Sequence, residues 1–333
     1  MFARPFTTRP IRGVRVTSRV GSSRALRNEP RPSRHEVNEV DIPVPWGKVT
    51  GKLWGSREKQ PILAMHGWQD NAASFDNLAP LLLRNAPVLA IDLPGHGPSS
   101  WLPPGLMYTE IVYFLLIKRI QKYFGWRRIK LMGHSLSAMT AYWYAGIFPE
   151  DLRYVIALDV YKFPSIPATA YCALFKNGVN MFFKTEENSG VQPRYTYDEL
   201  IEKGMAGYAN TVSDMDETAY KILMSRGSTQ EEDGKYVVNR DPRLRGLPIH
   251  SLIEQEYQKE YARSITCPYL IIKGSDFYIE KEEEFHEVLD VMKSVNNNVY
   301  LKALPVSKAT HHFHLTHAEE TAAIINPFLE KYN

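Results

Sequence analysis

Short apolar runs separated by helix-length stretches constrain this chain more than any other feature. Ile62–Met65, Pro87–Ile91, Ile129–Met132 and Tyr154–Leu158 are too brief for helices and lack the polar alternation of half-exposed strands. Such runs are buried on both faces, as parallel strands covered by helices are. The intervening stretches Ser74–Arg84, Tyr108–Phe124 and Leu136–Phe148 carry helical spacing, and Gly125 stops the second. Upstream, Val37–Val44 and Lys48–Trp54 flank Trp46-Gly47 and read as an opening hairpin.

After Asp159 the alternation stops. Residues 163–262 read as several helices with one hairpin-like piece; Thr196-x-x-Glu199 and Asp214-x-x-Glu217 are helix starts and Gly227 a helix end. Parallel-strand texture returns at Tyr269–Lys273 and Val299–Leu304, around a charged helix near Lys281–Lys293, and a last helix runs from about Glu319 to Tyr332. The expected fold class is α/β: one mostly parallel sheet with helices on both faces, built from residues 35–162 and 263–333. Residues 163–262 are expected to be a helical cap at the carboxyl edge of the strands, where ligands bind in such sheets.

Charge sharpens the division. The chain carries a net +3, yet residues 1–28 hold seven arginines and no acid, so the remainder is net negative. That argues against nucleic acid as a partner. An Arg-rich, Ser/Thr-containing, acid-free N-terminus has transit-peptide composition, so residues 1–34 are set apart and a mitochondrial location is expected. The alternative is a merely basic tail on a cytoplasmic or peroxisomal protein, although Lys331-Tyr332-Asn333 is no Ser-Lys-Leu signal. The longest apolar run, Ile111–Ile117, falls far short of a membrane-spanning helix. Cys172 and Cys267 are too few for a disulfide framework or a Cys-based zinc site.

Chemistry concentrates after the strands. Ile129–Ser137 places Gly133-x-Ser135-x-Ser137 between a strand and a helix, nearly the Gly-x-Ser-x-Gly elbow that exposes a serine nucleophile at a sharp turn. Ser137 departs from the usual glycine but is small; as a bland alternative, Ser135 is a plain helix N-cap. Such a serine needs backbone N–H groups for the developing oxyanion. Leu136 and Trp68, the latter in His66-Gly67-Trp68, are the expected donors, and His66 is expected to brace its own loop. Asp92–Ser99 reads as a shaped structural loop. The orienting acid is expected at a strand end: Asp276 is favoured because it follows the strand after the insertion, with Asp159 as the alternative. The base lies among His311, His312, His314 and His317. That run has no zincin spacing, and no carboxylate or Cys completes a set, so no metal and no cofactor is expected.

Together these residues resemble the α/β-hydrolase superfamily over about residues 37–333. His66-Gly-Trp-Gln-Asp-Asn-Ala-Ala-Ser-Phe, Asp92-Leu-Pro-Gly-His-Gly, Gly133-His-Ser-Leu, the His311-His-Phe-His-Leu segment and the cap piece Asn239–Leu244 are similar to its serine hydrolase-like family. The resemblance puts His311 in the base position, with His312 as runner-up, and its Ser nucleophile sets the chain apart from dehalogenase and epoxide hydrolase relatives. The triad types point to cleavage of an ester, thioester or related acyl bond, and the aromatics Tyr161, Phe163, Tyr171, Phe175, Phe182, Phe183, Tyr195 and Tyr197 to an apolar acyl or aryl group, although a purely structural cap core explains them equally. The alternative is a non-catalytic member that keeps the pocket for binding.

Overall fold

The computed structural model describes residues 37–188, 192–209, 215–246, 254–274, 281–306 and 309–333. The elements in chain order are β1 (Val37–Val44), β2 (Gly47–Trp54), β3 (Ile62–Met65), α1 (Ala79–Leu82), β4 (Val88–Ile91), α2 (Glu110–Phe124), β5 (Ile129–His134), α3 (Leu136–Ile147) and β6 (Leu152–Leu158). Then follow α4 (Ala168–Glu187), α5 (Tyr197–Ala209), α6 (Glu217–Gly227), β7 (Ser228–Gln230), β8 (Tyr236–Val238) and α7 (Gln255–Ser264). The chain closes with β9 (Tyr269–Lys273), α8 (Glu282–Val295), β10 (Val299–Ala303), α9 (Phe313–Thr316) and α10 (Ala318–Tyr332).

Eight strands form one sheet in the order β1-β2-β4-β3-β5-β6-β9-β10. The β1–β2 and β2–β4 pairs are antiparallel, and every pair from β4 to β10 is parallel. This is the α/β-hydrolase arrangement, and its strand texture follows from burial. Leu63, Leu89, Leu131 and Ile271 point into the core formed with α2, α3, α7 and α8, through Ile117, Ala141, Ala262 and Val288. Their neighbours Ile62, Val88, Met132 and Ile272 point to the other face, where Leu82 and Ile325 supply α1 and α10. Period-two alternation between two cores leaves few polar positions in these strands, Lys130 near the start of β5 being one, hence the largely apolar runs.

One expected helix differs. In place of Ser74–Arg84 the chain forms a 3₁₀ turn over Ala72–Phe75 and the short α1, which has Pro at its start. Pro80 has no N–H to donate to an upstream carbonyl, so the two pieces cannot merge. In the inserted segment, Thr196 and Glu199 make the expected reciprocal cap: Thr196 N–H donates to Glu199 Oε2 at 2.8 Å, and Glu199 N–H to Thr196 Oγ1 at 3.2 Å. Asp214 lies outside the described residues; α6 is instead capped by Asp216, which accepts from Ala219 N–H at 2.7 Å. α5 and α6 share a small core of their own, including Leu200, Ile201, Tyr220 and Leu223. α7 packs against α3 and α8 over the sheet. No described helix is long and apolar enough to cross a membrane.

Candidate active site

The sheet registers bring two strand ends side by side. His134 of β5 pairs with Leu158 of β6, so the next residues, Ser135 and Asp159, leave the sheet at the same edge. Ser135 N–H donates to Leu158 O at 3.2 Å, and Asp159 N–H to Ile272 O at 2.7 Å. Both residues hold positive φ, 52° for Ser135 and 75° for Asp159. Non-glycine residues in that region are uncommon and strained, and such strain concentrates at functional sites.

The turn at Ser135 is possible because strand and helix nearly touch. A Cβ on Gly133 would lie 2.5 Å from Ser137 O and 2.6 Å from Ala138 N, both backbone atoms that cannot retreat. Ser137, standing where the elbow pattern has glycine, is accommodated: its hydroxyl donates to His66 O at 2.5 Å and ties α3 to the end of β3.

His66 braces its loop from within. Its Nδ1–H donates to Gly67 O at 2.7 Å, and its Nε2 accepts from Leu93 N–H at 2.9 Å. His96 repeats the device one loop away, with Nδ1–H on Pro94 O at 3.0 Å and Nε2 accepting from Gln69 N–H at 3.2 Å. Burial lowers the pKa of both rings, further for His96, which keeps them neutral and in these tautomers. Trp68 sits between the two supports, its ring edge-on to His96 at 5.9 Å. Leu136 opens α3, so its N–H has no acceptor one turn back within the helix.

Of the histidine run, His311 meets a carboxylate at the same sheet edge. Its Nδ1–H donates to Asp159 Oδ2 at 2.6 Å, with Asp159 fully buried and the imidazole one-fifth exposed. The backbone of His311 is held as well: His134 Nε2–H donates to its carbonyl at 2.8 Å. Asp276 lies outside the described residues. His312 turns the other way, its Nε2 3.4 Å from Asp70 Oδ1. His314 is buried with Nε2 2.5 Å from Ser74 Oγ, and His317 stands at the start of α10, where its carbonyl accepts from Thr321 N–H at 3.1 Å.

The Asp92 loop is structural. Asp92 accepts from Thr50 Oγ1 at 2.7 Å and Ala72 N–H at 2.9 Å, and it receives Arg226 from α6. Arg226 also reaches Glu39 in β1, clamping the inserted segment to the sheet. A second clamp is Asp241, whose carboxylate accepts from Tyr108 OH at 2.8 Å. Sequence reading did not single out Arg226; nothing local distinguishes it from other cap arginines.

Of the aromatics in the inserted segment and just before it, Tyr161, Phe163 and Phe182 are buried, whereas Phe175, Phe183 and Tyr197 are exposed. A cavity of about 840 Å³ lies beside α4 and Pro242–Arg245, lined by Trp101, Met181 and Pro193 together with Lys184 and Arg243. Ser135 is not among its lining residues.

Comparison with known proteins agrees with the sheet. Residues 60–181 match the family model described as alpha/beta hydrolase fold. A probable serine hydrolase from Drosophila melanogaster is 35% identical over 300 residues, covering 88% of each chain. The chain belongs to the serine hydrolase-like family. Human serine hydrolase-like protein 2 is a further relative, 27% identical over 304 residues and covering 88% of this chain and 94% of its own. Among solved structures, a hypothetical protein from Pseudomonas aeruginosa superposes with a TM-score of 0.72 at 24% identity, over 88% of this chain and 99% of that one. A thioesterase domain from the curacin biosynthetic pathway superposes at 0.69 with 19% identity, over 87% and 99%. At those identities the superpositions speak for the fold. Fold and family together support a hydrolase.

Proposed function

We propose that this serine hydrolase-like protein cleaves an ester, thioester or related acyl bond of a small, apolar substrate without a cofactor. The observation that carries the reading is the His311–Asp159 contact at 2.6 Å, made at the sheet edge where Ser135 leaves β5 in a strained turn. In the proposed reaction Ser135 Oγ attacks the carbonyl carbon while His311 Nε2 takes its proton. Asp159 accepts Nδ1–H, which selects the tautomer whose Nε2 is a base and stabilises the imidazolium that forms. The N–H groups of Trp68 and Leu136 receive the oxyanion. The proton returns to the leaving alcohol or thiol, and water, deprotonated by the same imidazole, releases the acid from Ser135.

Asp159 takes the acid role here because it contacts the base; Asp276 is the competing assignment. The apolar character of the acyl group is inferred from the aromatic-rich inserted segment, in which Phe175, Phe183 and Tyr197 stay exposed. A fluorophosphonate probe tests the nucleophile. Wild-type protein is expected to be labelled and Ser135→Ala spared. Folded wild-type protein that stays unlabelled, yet binds an acyl ligand tightly, would make this a non-catalytic member of the family.

A further inference from the structure

Behind the serine lies a buried group of side chains that the hydrolytic reading does not use. Asp70, from the loop after β3, His134, from the end of β5, and His312, at the start of α9, converge with one donor atom each within 4.8 Å of the others. All three are buried. The distance from His134 Nδ1 to Asp70 Oδ2 is 3.4 Å, and from His312 Nε2 to Asp70 Oδ1 also 3.4 Å. Neither oxygen of Asp70 nor His134 Nδ1 makes a well-formed hydrogen bond among the described residues, and the carboxylate is faced by His134, His312 and the Tyr208 hydroxyl. A buried carboxylate in that condition is costly and calls for an explanation.

The tautomer of His134 supplies one. Its Nε2 lies 2.8 Å from the carbonyl oxygen of His311, and a carbonyl only accepts, so Nε2 carries the hydrogen. In the neutral ring Nδ1 is then a bare lone pair, facing a carboxylate oxygen across 3.4 Å. Two acceptors aimed at each other inside a protein need a positive centre between them, either a proton or a metal ion. The spacing suits a metal ion: four ligands at about 2.0–2.1 Å around zinc stand roughly 3.3 Å apart. A ring nitrogen on the metal with its other N–H on a backbone carbonyl is also how ligating histidines are usually oriented.

We propose that Asp70, His134 and His312 form a binding site for a single divalent transition-metal ion of the zinc type. Two imidazole nitrogens and one carboxylate favour zinc, cobalt or nickel over magnesium or calcium, which take oxygen donors. The histidine run alone lacked a carboxylate; the fold supplies it from Asp70, far upstream. The cluster stands one side chain from solvent, because the His312 ring is 5.0 Å from that of partly exposed His311. The ion would hold the residues next to Ser135 and His311, namely His134 and His312. It is not in the reaction itself, and the inference does not rest on the hydrolytic reading.

The test uses untagged full-length protein, stripped with chelator and dialysed against micromolar Zn²⁺ or Co²⁺. The expected result is one ion per chain by elemental analysis, with the visible bands of four- or five-coordinate Co²⁺. Asp70→Asn and His312→Gln are expected to weaken Zn²⁺ binding by more than the ~10–100-fold that loss of an outer-shell partner costs. His317→Gln, outside the cluster, leaves it unchanged. Near-ultraviolet circular dichroism reports whether each variant folds; if Asp70→Asn does not, His312→Gln and the wild-type Co²⁺ spectrum decide. Failure of wild-type protein to retain metal, a six-coordinate aquo-like Co²⁺ spectrum, or retention untouched by a folded ligand variant would each overturn the proposal. These readouts are independent of turnover, so they stand or fall apart from the probe labelling of Ser135.

Discussion

Replacing Asp159 by Asn tests the assignment of the acid at little structural cost. The two side chains have nearly equal volume, and Asn is among the residues that tolerate the left-handed backbone Asp159 adopts at φ 75°. The backbone anchor, Asp159 N–H on Ile272 O, is unaffected by the change. What changes is the group 2.6 Å from His311 Nδ1. A carboxylate there only accepts, which forces the hydrogen onto Nδ1 and leaves Nε2 as the base. An amide can turn its NH₂ toward Nδ1, and the hydrogen then moves to Nε2, where it blocks proton removal from Ser135. In a serine-protease triad the equivalent change lowers kcat by about 10⁴. At about 1.36 kcal/mol per tenfold this is roughly 5 kcal/mol of transition-state stabilisation. Steady-state hydrolysis of a p-nitrophenyl ester, with urea denaturation to confirm folding, measures it. Asp276→Asn, run beside it, is expected to stay within about tenfold of wild type, far less than a lost triad acid costs. A folded Asp159→Asn enzyme with near-normal kcat, beside an inactive Asp276→Asn, would refute the tautomer argument at Asp159 and give the role to Asp276.

Other contacts in the fold carry expectations of their own. Arg226→Met leaves Asp92 buried without its cation, which costs about 3–5 kcal/mol for a broken buried pair; a loss under about 1 kcal/mol in urea denaturation contradicts the clamp. Ser137→Gly restores the usual elbow residue but deletes the hydroxyl bond to His66 O, so stability falls by about 0.5–1.5 kcal/mol with activity retained. His66 and His96 are held neutral, so the unfolded chain binds more protons than the folded one below the ordinary histidine pKa of 6.5. Stability therefore falls as pH drops from about 6.5, by up to about 1.4 kcal/mol per pH unit for each ring, and His96→Gln flattens that limb; an unchanged urea midpoint between about pH 7 and 5.5 would refute it. If residues 1–34 are a transit peptide, mass spectrometry of the endogenous protein finds a start near residues 34–37, whereas an intact Met1 in cytosolic protein contradicts it.

Local texture carried much of this in the sequence, and long-range pairing did not. The strands were legible because two-sided burial strips polar residues from Ile62–Met65 or Val88–Ile91, a property of each segment alone. The elbow was legible because close approach of strand and helix demands small residues at 133 and 137, whose spacing is visible in the chain. The bracing role of His66 was legible too, since a histidine beside glycine after a strand has backbone groups within reach. The acid was not, because Asp159 and Asp276 both follow strands, and choosing between them requires knowing that β6 lies between β5 and β9. The Asp70–His134–His312 group was invisible for the same reason: its members are brought together by sheet order and not by spacing. The Arg226–Asp92 pair joins an inserted helix to a core loop, and no periodicity encodes such a contact.

The central claim is that Ser135 becomes acylated during turnover. Protein mixed with excess p-nitrophenyl acyl ester, quenched in acid within the first turnovers and examined by intact and peptide mass spectrometry reads this directly. The account predicts one acyl adduct per chain, on the peptide containing Ser135, and none in Ser135→Ala, which also loses turnover. Sustained hydrolysis with no adduct on Ser135, or hydrolysis that survives Ser135→Ala, would contradict it.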